Sequence, residues 1–239
     1  MVKYKDAINA YWKMNNAQLK VESLSNVKTG VKAYQIGKGK PAQKGADKDD
    51  RFLHSKSKLN NLYFPYVDGN NVKRYELTWN GEYIEYSDRL AEPRRSTNFE
   101  MPRILVRQIP SKSVYSINGV YLDAHVINDL NSMVIEDITD INPLALLGFV
   151  NSKPMTLWFL MRFDKFQRRL FPQFKVNELA EFPIPKTNKD IQNKIADNVR
   201  KIQDLIKNNK PYNENTIVDE LVMTAYGLSE EEKESVRKF

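Results

Sequence analysis

Hydrophobic and polar positions follow two different spacings along this chain of 239 residues. Between residues 24 and 127, apolar and aromatic residues come in short runs that turn residues interrupt, as in β-strands. From residue 142 onwards they recur every three or four positions, as in amphipathic helices. The pattern therefore predicts an α+β fold, in which a mixed, mainly antiparallel β-sheet region is followed by a helical C-terminal region.

The sheet region contains several assignable strands and turns. Residues 24–36 predict a strand, a turn at Lys28-Thr29-Gly30 and a second strand. Asn80-Gly81 and Asn118-Gly119 are two-residue pairs typical of β-hairpin turns, so we expect a hairpin around each. Residues 103–107 predict a buried strand with an arginine at each end.

The helical region is predicted from both spacing and end signals. Asn142 suits an N-cap with Pro143 at the first helical position, and Ser229 with Glu232 forms a capping box. Apolar residues at steps of three and four predict a helix over residues 188–208.

Three further boundaries complete the predicted organisation. A helix is expected over residues 4–20, and another over 216–226 that ends before Gly227. We predict a first domain of residues 1–186 and a helical C-terminal region of residues 187–239.

Composition limits the classes of protein to which the chain can belong. With 41% apolar and 11% aromatic residues, it is a folded globular protein. Cysteine is absent, which excludes disulfide bonds, thiolate nucleophiles and zinc bound by cysteine. No apolar run approaches the roughly 20 residues that cross a bilayer, so we expect a soluble, cytoplasmic protein with no membrane partner.

The positive charge is concentrated at the start of the chain. The net charge is +7, and residues 1–60 alone hold 13 basic and 5 acidic residues. The segment 37–51, rich in glycine, lysine and aspartate, predicts a surface loop. This loop is either a solubilising insertion or a basic arm that lies along a phosphate backbone.

Two segments place small turn residues beside cations and aromatic rings. Gly30 lies between Lys28 and Lys32, and Gly69 precedes Lys73 and Arg74. Cations neutralise phosphates and exposed rings stack on bases, so these segments suit a polyanion. The aromatic residues that flank turns are the candidates for such stacking: Tyr63, Tyr66, Tyr75 and Trp79.

No catalytic motif competes with this interpretation. Residues 37–40, Gly-Lys-Gly-Lys, lack the spacing of a phosphate-binding loop. Glu231-Glu232-Lys233 matches the end of a metal-dependent nuclease signature, but it lies in a charged predicted helix without the preceding Pro-Asp strand. The two histidines, His54 and His125, do not have the spacing of a zinc site.

Six groups of residues in a fixed order carry a resemblance to a known family. They are Lys28-Thr29-Gly30 with Ala33–Ile36, Pro65–Tyr75, Pro102–Arg107, Leu146–Lys153, Phe171–Lys175 with Leu179–Pro185, and Val218–Val222 with Tyr226–Glu232. In this order the chain resembles the TaqI-like C-terminal specificity domain, the target-recognition domain of type II and type IIG restriction-modification DNA methyltransferases.

The resemblance implies sequence-specific recognition of double-stranded DNA through the major groove, for which residues 1–186 would be the recognition domain. A partner catalytic domain would then methylate an adenine, with or without a linked endonuclease. The chain contains neither the Asn-Pro-Pro-aromatic motif nor a glycine-rich S-adenosylmethionine loop. We therefore expect no cofactor in this chain, and S-adenosylmethionine and Mg in the parent enzyme.

Basic residues near the predicted turns and strand ends are the expected DNA contacts. The set is Lys28, Lys32, Lys73, Arg74, Arg94, Arg95, Arg107 and Lys112. Arg74 and Arg103 have an alternative role as ion-pair partners within the sheet, and Arg103 is left out for that reason. Two other functions stay open: a protein-interaction module without DNA readout, and a small stand-alone enzyme that modifies nucleic acid.

Overall fold

The computed structural model describes residues 2–163, 173 and 175–239. The helices are α1 (Val2–Asn15), α2 (Val21–Leu24), α3 (Gly45–Asp49), α4 (Pro143–Val150), α5 (Lys153–Arg162), α6 (Val176–Ala180), α7 (Lys189–Lys207), α8 (Glu214–Ala225) and α9 (Glu230–Lys238). The strands are β1 (Leu19–Lys20), β2 (Asn26–Thr29), β3 (His54–Ser55), β4 (Tyr63–Val67), β5 (Val72–Lys73), β6 (Glu76–Leu77), β7 (Tyr83–Glu85), β8 (Arg103–Arg107), β9 (Gly119–Leu122), β10 (Ile127–Asn128), β11 (Ser132–Glu136) and β12 (Pro183–Ile184).

Two four-stranded sheets form the centre of the β region. The first has the order β2-β11-β8-β9 and is antiparallel throughout. The second has the order β10-β4-β7-β3, in which only β10 and β4 run parallel. Two-stranded pairs, β1-β12 and β5-β6, complete the β structure of the described residues. The predicted α+β class with mainly antiparallel sheets and a helical C-terminal region is confirmed.

The first sheet is buried on both faces. Ile104 and Val106 of β8 belong to a large apolar cluster with α1, α4, α5, α7, α8 and α9. Leu105, on the opposite face, packs in another cluster with Val67 and Val72. Because both faces are covered, β8 reads as a continuous apolar run, and its predicted burial is confirmed. The division at residue 186 stays a prediction, since helices on both sides of it share the large cluster.

The predicted turn at Lys28-Thr29-Gly30 is wrong. Lys28 and Thr29 lie within β2, where Lys28 pairs with Val134 and Thr29 with Met133. Gly30 serves close approach rather than chain reversal, because a Cβ there would lie 2.1 Å from the carbonyl oxygen of Asn128. A turn was expected from a glycine that the fold uses for backbone contact.

Both predicted Asn-Gly hairpins are also wrong. Gly81 has a positive φ of 79°, but the loop joins β6 to β7, which lie in different sheets. Gly119 begins β9, which pairs with β8 and not with residues 114–117.

A two-residue hairpin does exist nearby, between β5 and β6. Lys73 pairs with Glu76, so Arg74 and Tyr75 form the turn. Tyr75 adopts a positive φ of 66°, which is uncommon for an aromatic residue. Its ring is buried and its N–H donates to the carbonyl of Gly119 at 2.8 Å, and these contacts hold the turn.

The segment 37–51 is more structured than a plain surface loop. It contains α3, and Gln43 anchors it with a side chain that is only 4% exposed. The Gln43 amide nitrogen donates to the carbonyls of Ala33 at 2.8 Å and Arg89 at 2.7 Å, and its oxygen accepts from the backbone N–H of Gln35. One buried glutamine therefore ties this polar segment to both flanking parts of the chain.

The end signals of the helices are confirmed. The Asn142 side chain accepts from the N–H of Leu144, and Ser229 forms the predicted capping box. Within the described ranges, no single helix is long and apolar enough to cross a membrane. The bent pair α4 and α5 meets that criterion jointly, at an angle of 57°, and most of its side chains are buried in the large apolar cluster.

Candidate nucleic-acid interface

Four of the predicted DNA contacts lie together beside β2. We call Lys28, Lys32, Arg94 and Arg95 the cationic cluster. Lys32 and Glu92 exchange backbone hydrogen bonds at 3.0 and 2.9 Å, which brings the segment 92–96 against the end of β2. The Lys28 ammonium donates to the carbonyl of Ser96 at 2.7 Å. Residues distant in sequence are therefore assembled by the pairing of one extended segment with another.

Acidic side chains partly neutralise the cationic cluster. Lys28 pairs with the buried carboxylate of Glu136, and Arg94 with Glu92 at 2.7 Å. Arg95 pairs with Asp88, and both side chains are more than half exposed. Exposed ion pairs contribute little free energy, so Arg95 can exchange Asp88 for a phosphate at small cost.

Next to the cationic cluster is a polar cleft of about 360 Å³. The polar cleft is lined by Arg51, Tyr66, Asp68, Gly69, Asn70, Arg107, Ile109, Asp129, Asn131 and Gln173. The two sites meet at Gly30, whose carbonyl accepts from the Arg94 guanidinium at 3.3 Å and whose α-carbon contacts the backbone of Asp129.

Two arginines and several amides give the polar cleft its hydrogen-bonding groups. Arg107, at the end of β8, donates to the side-chain oxygen of Asn70 at 3.2 Å. Asp129 accepts from the backbone N–H of Asn131 at 3.0 Å and from the amide nitrogen of its side chain at 2.6 Å. Burial raises the pKa of Asp129 to about 6, and the nearby Asp68 acts in the same direction.

Arg51, which lines the polar cleft, belongs to an ionic group at the start of β3 and β7. Arg51 donates to Glu82 at 2.6 Å and lies 3.0 Å from Nδ1 of His54. The His54 ring packs edge-on against Tyr66 at 4.7 Å. Burial lowers the pKa of His54 to about 4, and the Arg51 charge adds to that effect. His54 is therefore neutral near pH 7.

Lys73, Arg74 and Lys112 do not line the polar cleft. Lys73 and Lys112 are exposed, and in the described part of the chain neither forms an ion pair. Arg74 packs against the helical region, where its guanidinium donates to the carbonyl of Asn151 at 2.9 Å and to the side chain of Asn215 at 2.6 Å.

Arg103 is fully buried and its partners are backbone carbonyls rather than a carboxylate. Its guanidinium donates to the carbonyls of Phe99 at 2.8 Å and Met101 at 3.0 Å, and to those of Ala124 and Val126. Burial lowers its pKa to about 10. The expectation of an ion pair for Arg103 is corrected, because carbonyl dipoles of the segments before β8 and after β9 take that place.

The stacking candidates are mostly buried. Tyr63, Tyr66 and Tyr75 are between 1% and 8% exposed, whereas Trp79 is 47% exposed. Of the four, Tyr66 alone lines the polar cleft. Tyr66 and Tyr75 belong to apolar clusters, so their rings are not open to a stacked base.

Asp129 and Asn131 were missed from sequence. The available signal was a repeated Asp-x-Asn spacing, in Asp68-Gly69-Asn70 and Asp129-Leu130-Asn131. Among the residues that the structure describes, no group of three or more histidines, aspartates or glutamates has a geometry that could hold a metal ion.

The model of one family, the TaqI-like C-terminal specificity domain, matches residues 64–184 of this chain. This match covers half of the chain. The chain belongs to the TaqI-like C-terminal specificity domain family, which serves DNA sequence recognition in restriction-modification systems. The resemblance predicted from sequence is thereby confirmed.

A curated relative and two solved structures agree with this family. A putative type II restriction enzyme and methyltransferase of Methanocaldococcus jannaschii is 29% identical over 189 residues, which are 74% of this chain and 15% of that protein. The type IIL restriction-modification enzyme MmeI, in complex with DNA, superposes with a TM-score of 0.52 at 13% identity, over 92% of this chain and 33% of that chain. The type IIG restriction endonuclease BpuSI gives 0.53 at 10% identity, over 94% and 33%. The fold is thus shared, and the chain spans a minor part of each of these proteins.

Proposed function

We propose that this chain recognises a short sequence of double-stranded DNA and directs a methyltransferase domain outside the chain to an adenine there. The observation that carries the proposal is the junction at Gly30, where the cationic cluster adjoins the polar cleft. Cations that hold phosphates and polar groups that read base edges are the two components of sequence-specific DNA binding. Here they lie next to each other on a specificity-family fold.

The predicted basic contacts divide into two roles. Lys32, Arg94 and Arg95, with Lys28 beside them, suit the phosphate backbone, because they lie around one extended segment and not in a cleft. Exposed Lys73 and Lys112 would extend this phosphate contact. Arg107 lines the polar cleft and suits base readout.

Arg74 also stays on the list of proposed DNA contacts. Its contacts with Asn151 and Asn215 supply a competing, structural role. If Arg74 is a DNA contact, its loss should lower DNA affinity, and if its role is structural, its loss should lower folding stability.

Catalysis and its cofactors are assigned to the rest of the parent protein. The related protein of M. jannaschii is named as both restriction enzyme and methyltransferase. We therefore propose S-adenosylmethionine for methylation and Mg for any linked nuclease, with both bound outside this chain. The partners are then duplex DNA and the catalytic domain, in the cytoplasm.

Titration of a fluorescently labelled duplex with the full chain tests the proposal. Affinity should fall steeply between 50 and 200 mM salt, by a slope of about 0.9 for each phosphate contact. In the Lys32→Ala/Arg95→Ala double variant the slope of log affinity against log salt should be smaller by the equivalent of one to two phosphate contacts, because both proposed contacts are lost. Lys207→Ala, an exposed lysine on α7, is the matched control and should change it little. Affinity for DNA that is weak and independent of salt would overturn the proposal.

A further inference from the structure

We propose that Asn131 reads a base edge of the recognised DNA, that Asp129 positions it, and that Arg107 reads the neighbouring base pair. The preferred bases are adenine for Asn131 and guanine for Arg107. This inference rests on the proposed function and names side chains in the polar cleft that would carry it out.

Two turns of the same type build this part of the polar cleft. In each Asp-x-Asn turn, the aspartate accepts from the backbone N–H of the asparagine: Asn70 to Asp68 at 2.7 Å, and Asn131 to Asp129 at 3.0 Å. The two turns pack on each other, because a Cβ on Gly69 would lie 2.7 Å from the carbonyl oxygen of Asn131. The backbone of each asparagine is therefore held in place at both turns.

Asp129 fixes the orientation of the Asn131 amide. An ionised carboxylate only accepts hydrogen bonds, so the Asn131 group that faces it at 2.6 Å must be the NH2. The other N–H of the Asn131 side-chain amide and its side-chain oxygen Oδ1 then remain for a ligand. A donor and an acceptor side by side match N7 and the N6 amino group of adenine in the major groove.

Arg107 is held in a comparable way. Asn70 accepts one of its five N–H donors at 3.2 Å, which leaves others free. Two parallel N–H donors match O6 and N7 of guanine. The N–H of Gln108 donates to the backbone carbonyl of Asn131 at 3.0 Å, so Arg107 and Asn131 lie close to each other where the central strands β8 and β11 meet at one end of the sheet. Adjacent strands are about 4.8 Å apart and successive base pairs about 3.4 Å, so flexible side chains on neighbouring strands can reach neighbouring base pairs.

The charges in the polar cleft favour a base over a phosphate. Asp68 and Asp129 lie in the same cleft as Arg51 and Arg107. The two arginines balance the charge of the two carboxylates, so a phosphate gains less in the cleft than at the cationic cluster, whereas a neutral base edge can pair with the donors and acceptors there. The cationic cluster beside the cleft remains the place for the phosphates.

Selection of bound sequences from a pool of randomised duplexes tests this inference on the full chain. The wild-type protein should select a motif that contains one guanine and one adenine at neighbouring base pairs. Asn131→Ala should lower the adenine preference at least about fivefold and leave the guanine preference intact. Arg107→Ala should do the reverse.

Positioning by Asp129 requires a separate variant. Asp129→Asn keeps the shape of the side chain but places an NH2 beside the Asn131 NH2. The Asn131 amide should therefore rotate by about 180° and present its oxygen to residue 129. The adenine preference should then be lost at the same position alone, which a general structural defect would not produce. Asn131→Asp, which also removes the donor, is a second variant and should lose the same preference. Asn61→Ala, on an exposed loop residue, is the matched control and should select the wild-type motif.

The possible outcomes separate the inference from the function on which it rests. If the wild-type protein selects a motif and the Asn131 and Arg107 variants select the same motif, the inference is wrong and the proposed function stands. If the wild-type protein selects no motif at all, both are wrong. Melting temperatures measured on each variant distinguish a loss of readout from a loss of fold.

Discussion

The guanidinium carbon of Arg74 lies 3.8 Å from the ring centroid of Tyr115. The Tyr115 hydroxyl donates to Asp219 of α8 at 2.7 Å, and Asp219 also accepts from the backbone N–H of Lys153 at 2.9 Å. Burial raises the pKa of Asp219. The turn between β5 and β6 is therefore joined to the helical region by a stacked cation and a buried carboxylate.

Replacement of Arg74 by alanine should destabilise the fold. The variant loses the hydrogen bonds to Asn151 and Asn215 and the cation–π contacts with Tyr75 and Tyr115. We therefore expect the free energy of unfolding to fall by about 1–3 kcal/mol in urea titrations. Lys73→Ala, one residue away and exposed, should change it by less than about 0.5 kcal/mol. Unchanged stability together with weaker DNA binding would show that Arg74 acts as a DNA contact instead.

Arg103 should be among the most sensitive positions for stability. Arg103→Met fills a similar volume but leaves four buried carbonyls without their charged donor, so we expect a loss of about 2–4 kcal/mol in the free energy of unfolding. Arg103→Lys should restore part of this loss, because an ammonium reaches some of the same carbonyls. Equal stability of Arg103→Met and the wild-type protein would contradict this role.

Gly30 should tolerate no side chain. A Cβ at this position would lie within 2.1 to 2.4 Å of Asn128 and Asp129, and two of the three nearest atoms belong to the backbone. Gly30→Ala should therefore lower the free energy of unfolding by about 1–3 kcal/mol. Gly45→Ala has open space around the new methyl group and is the control. Its stability should stay close to that of the wild-type protein.

Asp129 should give the fold a distinctive dependence on pH. Its pKa is about 6 in the folded state and near 3.8 when unfolded, so the folded state binds the proton more tightly. Stability from this group therefore falls as pH rises from about 4 to about 6, by on the order of 3 kcal/mol. The charged and titratable groups around it are Asp68, Arg51, Arg107 and Tyr66. Asp129→Asn should remove this contribution, as thermal melts at several pH values would show.

His54 acts in the opposite direction over the same range. Its pKa is about 4 in the folded state and 6.5 when unfolded, so acid favours the unfolded chain. Stability from His54 is present above pH 6.5 and is lost as pH falls towards 4, again by on the order of 3 kcal/mol. His54→Gln should remove that loss. As pH falls from about 6 to about 4, the stability of His54→Gln relative to the wild-type protein should rise, and that of Asp129→Asn should fall. A change in the same direction for both variants would contradict both assignments.

Sequence was sufficient for the elements that local patterns determine. The strand of residues 103–107, the helix caps at Asn142 and Ser229, and the helix of residues 188–208 were all predicted within a few residues. Each depends on spacing or on a side chain that bonds to its own helix end. Of the family motifs, Pro102–Arg107, Leu146–Lys153 and Tyr226–Glu232 lie in or beside these segments, and Phe171, Pro172 and Phe174 lie outside the described residues.

Sequence was insufficient where partners come from distant parts of the chain. The pair Asn80-Gly81 correctly predicted a positive φ at Gly81. It did not predict which strands pair, because β6 and β7 lie in different sheets and local residues do not decide pairing. The polar cleft arises only when the turns at residues 68–70 and 129–131 pack together. For that reason the sequence did not indicate Asn131 as a site residue, since an isolated Asp-x-Asn sequence is common in ordinary turns.

Sequence discrimination by the full chain is the most direct test of the central claim. Its affinity for the selected duplex should be compared, at one fixed salt concentration, with that for a duplex in which the two base pairs assigned to Arg107 and Asn131 are exchanged. At about 1–3 kcal/mol per base pair, the account predicts that the exchanged duplex binds at least about 30-fold more weakly. Equal affinity for the two duplexes would contradict it.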